Sequence, residues 1–195
     1  MKIAIIDYNS GNTQSVICAM DRIGIHAFVT DDHDDIRAAD KVIFPGVGEA
    51  ASAMKAVKEK KLDTLVLSLK QPVLGICLGM QLMCRHSEEG NTDCLGIFET
   101  QVKKIPAKDD LKIPHMGWNT ISGLKGPLYK GVPGNVHVYF VHSYCADLCA
   151  ETNAVTDYSV RFSAGLSKNN FHGVQFHPEK SGVAGEFILR NFISL

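Results

Sequence analysis

Cys77 stands between two glycines, in Gly75-Ile76-Cys77-Leu78-Gly79, at the end of an apolar run. A cysteine in such a run is by default a small buried hydrophobe. The flanking glycines point elsewhere. Glycine–x–nucleophile–x–glycine is the pattern of a sharp strand-to-helix turn that presents a nucleophile at the end of a sheet. The helix that follows would aim its N-terminus at the sulfur and favour the thiolate. That help matters, because an unperturbed thiol with a pKa of about 8.5 is only about 3% ionised at pH 7.

A cysteine nucleophile needs a base, and the base needs an orienting group. Phe176-His177-Pro178-Glu179 can supply both. Residues two apart in extended backbone project to the same side, and Pro178 biases His177 towards extended geometry. One ring nitrogen would then meet Glu179, leaving the other for Cys77. Pro45-Gly46-Val47-Gly48 is the third element. Its glycines let backbone N–H groups approach an oxyanion. A phosphate loop would need G-x-x-x-x-G-K-S/T or G-x-G-x-x-G, and Glu49 follows instead. Together these parts predict a Cys77–His177–Glu179 hydrolase-like site.

The elements around these residues can hold them at one sheet edge. KIAIID (2–7), HAFV (26–29), KVIFP (41–45) and PVLGI (72–76) read as strands, the first apolar on nearly every position, as a strand covered on both faces would be. Between them, Asn12 can cap a helix through Val16, Ile17, Met20 and Ile23, closed by Gly24. A long helical pattern runs from Ala50 to Leu69, and helical spacing follows Cys77 through Leu78, Leu82 and Met83, with Cys84 a turn further as a packing residue. This alternation predicts an α/β sandwich of three layers around a mostly parallel sheet. Open sheets of this kind bind ligands at their strands' carboxyl ends, where PGVG and Cys77 both fall. ETQVKKI (99–105), VHVYFV (136–141), SVRFSAGLS (159–167) and FHGVQFH (171–177) read as strands of a mixed extension of that sheet. Gly182 to Phe192 reads as a closing helix with Phe187, Ile188 and Phe192 inward.

Composition narrows the function. Net charge is −1, with 45% hydrophobic and 21% charged residues. No basic footprint points to nucleic acid, and no window resembles a membrane span. The N-terminus lacks a signal-peptide core, so a cytoplasmic protein of one domain, residues 1–195, is expected. The six cysteines form no paired zinc motif, Cys145 and Cys149 standing without a second pair. Neither a metal nor another cofactor is expected.

With GICLGMQLM (75–83) and GVQFHPEKS (173–181), the chain resembles the class I, or triad, glutamine amidotransferases. DYNSGN (7–12), PGVGE (45–49), SEEG (87–90), PHMGWN (114–119) and YFVHSY (139–144) extend the resemblance over nearly the whole length. It implies a flavodoxin-like fold and hydrolysis of L-glutamine through a thioester on Cys77. It further implies oxyanion donors from Val47, Gly48 and Leu78, and a glutamine pocket formed by Gly46, Gly48, Gln81, Glu89, Ser143 and Tyr144. PHMGWN and YFVHSY are similar to the branch that docks as a heterodimer on a (β/α)8-barrel cyclase of the histidine pathway and passes ammonia to it. On that likeness Asn12, Trp118, Tyr139, His142 and Lys180 would lie at the partner interface. Trp118 is the only tryptophan, and tryptophan is enriched at interface hot spots. A paralogue feeding ammonia to another synthase, such as one for surface amino sugars, remains open at this level. The chain departs from the family at Asn9, where glycine is usual; asparagine is the non-glycine residue best suited to positive φ.

Overall fold

The computed structural model describes residues 1–9, 12–108 and 111–195; Ser10 and Gly11 of the DYNSGN stretch lie outside the described residues. KIAIID forms β1 (Ile3–Ile6), fully buried. Its side chains alternate between two cores, Ile3 and Ile5 in one, Ala4 and Ile6 in the other. That is why the strand is apolar at successive positions rather than at every second one. Asn9 adopts φ +62°. Asn12 caps α1 (Thr13–Arg22), its side chain accepting from Ser15 N at 3.3 Å. Then follow β2 (Ala27–Thr30), the short α2 (His33–Ala38) and β3 (Lys41–Gly46).

The expected long helix is two. α3 (Ala50–Glu59) and α4 (Leu62–Ser68) are separated by Lys61 at φ +54°. The left-handed turn redirects the chain so that Leu62, Leu65 and Val66 stay buried in the layer that already holds Ala53, Met54 and Val57. β4 (Val73–Cys77) leads into α5 (Leu78–Leu82), which stops before Cys84. Cys84 opens β5 (Cys84–Ser87) opposite Phe98, instead of extending the helix.

The second half contributes β6 (Thr92–Asp93), β7 (Phe98–Lys104), β8 (His115–Ile121), β9 (Val136–His142), β10 (Tyr144–Ala146), β11 (Thr152–Asp157), β12 (Arg161–Lys168) and β13 (Phe171–Val174), then α6 (Gly182–Ile193). Among the described residues the main sheet runs β2-β1-β3-β4-β13-β12-β10-β7-β5-β6, with β11 on β12. Neighbours from β2 to β13 are parallel. β12 and β10 add antiparallel pairs.

VHVYFV is not part of this sheet: β9 pairs with β8 in a separate antiparallel ribbon. Along β9, Val138, Phe140 and His142 are buried while His137, Tyr139 and Val141 are more open, the period of two of a strand with one covered face. α1 and α6 cover one face of the parallel sheet; α3, α4 and α5 cover the other. On α6 the inward stripe is Ala184, Ile188 and Phe192, spaced four apart; Phe187 is 46% exposed, on the stripe of Val183. Among the described residues no helix is long and apolar enough to cross a membrane.

Candidate active site

Cys77 ends β4 at φ +53°, ψ −109°, a conformation that non-glycine residues rarely hold and that surrounding packing must impose. Gly79 is what permits it. A Cβ there would lie 1.8 Å from the carbonyl oxygen of Phe44 on β3, so only glycine lets the start of α5 cross the neighbouring strand this closely. Gly46 has a similar role from the other side. It pairs with Cys77 in the β3–β4 register, and a Cβ would meet Tyr8 Oη and Leu78 Cβ.

His177 follows β13 with φ −99° and ψ 95°, extended as Pro178 requires. Its Nδ1 lies 2.7 Å from Glu179 Oε1, and both side chains are almost wholly buried. Nε2 is buried and meets no other hydrogen-bond partner among the described residues, which leaves it for the sulfur. Burial alone would drive His177 towards the neutral form; hydrogen bonding and charge from Cys77 and Glu179 outweigh it and raise the pKa. The backbone is clamped as well. His177 N–H donates to Tyr139 O at 2.8 Å, and Ser181 Oγ accepts from Tyr139 N and donates to His177 O at 2.6 Å.

A cavity of about 270 Å³ opens over these groups, lined by Val47, Gly48, Cys77, Leu78, Gln81, Glu89, Ser143, Tyr144 and His177. Gly48 has φ +104°. Glu89 Oε2 accepts from Ala50 N, the first amide of α3, at 2.9 Å. Burial raises the Glu89 pKa, that hydrogen bond opposes the rise, and nearby Glu49 adds to it. Gly46 does not line this cavity. It sits behind the elbow beside Asn12, in a narrow cleft on the Glu179 side.

Three residues predicted from the resemblance to face a partner share one surface. Trp118 and Tyr139 pair across the ribbon with rings 6.1 Å apart, and Lys180 Nζ is 5.9 Å from the Tyr139 ring. Trp118 is 57% exposed and Met116 beside it 62%. A core role for this tryptophan is therefore excluded. His142 does not join them. The strand's alternation buries it, and it lines the cavity.

Two features escaped the sequence. Gln175, fully buried, donates from Nε2 to Cys77 Sγ at 3.7 Å, while Oε1 accepts from Gln81 Nε2 at 2.9 Å. His115 Nδ1 lies 3.0 Å from His142 Nε2, and burial lowers the two pKa values to about 4 and about 3. A glutamine between the apolar Val174 and Phe176, directly after β13, is the signal that marks Gln175. Nothing in sequence spacing pairs His115 with His142.

A cysteine at a strained strand end, facing a buried histidine–carboxylate pair across one cavity, is the arrangement of an acyl-transfer enzyme built on a nucleophile turn. A family model described as glutamine amidotransferase class-I matches residues 4–195. The imidazole glycerol phosphate synthase subunit HisH of Bacteroides fragilis is 59% identical over 196 residues, with 100% of each chain covered. Its namesake from Bacteroides thetaiotaomicron is 54% identical, again over 100% of each. A crystal structure of a glutamine amidotransferase with 16% identity shares the fold at a TM-score of 0.73, over 98% of this chain and 97% of that one. The chain belongs to the class-I glutamine amidotransferase family, within its HisH branch.

Proposed function

We propose that this chain is the glutaminase subunit of an imidazole glycerol phosphate synthase of histidine biosynthesis, working with a HisF-type (β/α)8-barrel cyclase. The observation that carries the reading is the buried His177–Glu179 pair, 2.7 Å apart, whose histidine lines one cavity with Cys77 at φ +53°. Cys77 Sγ attacks the side-chain amide carbon of L-glutamine as its proton passes to His177 Nε2. The oxyanion is met by backbone N–H groups of Leu78 and of the Val47–Gly48 loop. His177 returns the proton to the departing ammonia, leaving a thioester on Cys77. Water, deprotonated by the same ring, then releases glutamate. Glu179 holds the imidazole in one tautomer and stabilises its cation. Gln81, Glu89, Ser143 and Tyr144 form the wall for the amino-acid end of the substrate.

Free ammonia in neutral water is mostly protonated and no longer nucleophilic, so the product must leave into a partner rather than into solvent. The exposed Trp118, with Met116, Tyr139 and Lys180, supports docking of that partner beside the site. The test uses the reconstituted pair. Cys77→Ala abolishes glutamine-dependent synthesis and leaves synthesis from added ammonium intact. Loss of both would make Cys77 a structural residue and overturn the reading. If the unsubstituted pair forms no glutamine-dependent product from the histidine-pathway substrate, the acceptor assignment fails.

A further inference from the structure

We propose that Gln175 stabilises the Cys77 thiolate through its side-chain amide, and that Gln81 fixes the direction of that hydrogen bond. The inference rests on the reading of Cys77 as nucleophile and adds to it a residue of the reacting shell.

The backbone oxygen of Tyr144 can only accept. Tyr144 O receives Gln81 Nε2 at 2.8 Å and His142 Nδ1 at 2.8 Å. Gln81 must therefore turn its nitrogen to that carbonyl, and its second N–H goes to Gln175 Oε1. Because Gln175 presents its oxygen to Gln81, its nitrogen is the end that faces the sulfur. Flipping Gln175 would set two amide nitrogens against each other, at the cost of a buried donor left unpaired. Each bond in the series thus has one allowed polarity.

The resting thiol has an acceptor of its own, Val141 O at 3.8 Å from Sγ. That carbonyl suits an S–H and opposes a bare sulfur anion. When the proton moves from Sγ to His177 Nε2, the electron pair stays on sulfur. Gln175 Nε2–H is then the side-chain donor already aimed at it, and it gives a hydrogen bond without giving up its proton. Donation to an ionised acceptor is stronger than to a neutral one, so the contact favours the thiolate over the thiol. Gln81 lines the cavity wall, with both protons of its nitrogen engaged. It therefore offers its carbonyl oxygen to a substrate, and a substrate seated there presses on the same series that ends at the sulfur.

The experiment is the pH dependence of Cys77 alkylation by iodoacetamide in the full-length chain, read by mass spectrometry on the peptide carrying Cys77. Gln175→Met and Gln175→Leu remove the donor with apolar side chains of two shapes, so a packing defect in one does not decide the outcome. The pH of half-maximal rate moves up by about one unit in both, roughly a tenfold loss of thiolate at neutral pH. In the reconstituted pair kcat for glutamine falls by a similar factor while KM changes little. Looser packing alone would speed alkylation without moving its midpoint. Profiles that superimpose on the parent's overturn the role of Gln175. Failure of an electrophilic glutamine analogue to label Cys77 in the parent overturns instead the nucleophile reading beneath it.

Discussion

Two buried histidine pairs hang on the same strand and are driven in opposite directions. His177 is tied to β9 through Tyr139 O and is raised by its bonds to Cys77 and Glu179. His142 is on β9 itself and, with His115, is lowered. Burial disfavours the cation in all three. The partner decides the sign. Cys77 offers its sulfur and Glu179 a carboxylate, so a proton on His177 is welcome. His142 Nδ1 must donate to Tyr144 O; its Nε2 therefore accepts from His115 Nδ1, and His115 Nε2 accepts from Asn119 Nδ2. An added proton would place two donors face to face. One pair is built to take up a proton, and the other is held neutral, with His142 in the cavity wall.

Glu179→Gln should break this contrast most severely. It keeps the shape and removes the charge, so His177 keeps its bond to Cys77 but loses the carboxylate's share of what offsets its burial. Glutamate release by the reconstituted pair should fall on the order of 10³-fold or more, with ammonium-dependent synthesis retained. A loss under tenfold would mean that Glu179 does not orient the ring.

The neutral pair makes a pH prediction. In the folded chain His115 and His142 titrate at about 4 and about 3, against an ordinary value near 6.5 in the unfolded chain. Between these limits the unfolded state binds more protons, so stability falls as pH falls. The two together should cost about 2 kcal/mol between pH 6.5 and 5.5. Urea midpoints at the two pH values measure it, and His115→Gln should halve the drop. An unchanged drop would place the acid sensitivity elsewhere.

Ser181→Ala probes how firmly the charged pair is held to β9. It removes one acceptor for Tyr139 N and one donor to His177 O. A loss of about 1.4 kcal/mol, or tenfold in kcat, is expected with KM nearly constant. An equal change in Cys77 alkylation would argue against an effect specific to the base.

How much of this was legible in the residues varies with range. β1 to β4, the elbow and the His177–Glu179 contact follow from local pattern, because period, glycine placement and Pro178 act within a few residues. α3 and α4 read as one helix in the sequence, since their apolar spacing is continuous and only the turn at Lys61 separates them. Phe187 reads as inward from its residue type, whereas its place on α6, one position from Ile188, turns it out. Gly46 lies behind the elbow and His142 turns into the cavity wall, details that resemblance does not convey because it names a region without saying which side of the strand each residue takes.

The sequence by itself determined the chemistry available: a cysteine between glycines, a histidine two residues from a glutamate, and a glycine loop at a strand end. It determined the parallel half of the sheet for the same reason, since these are short-range constraints of backbone and side-chain period. Only the tertiary structure decided which residues those groups meet. Gln175 reaches Cys77 across a separation of 98 residues, Gln81 reaches Gln175 across 94, and His115 reaches His142 across 27. Contacts at such distances along the chain depend on strand order and on the direction of each buried hydrogen bond, and no local pattern encodes either.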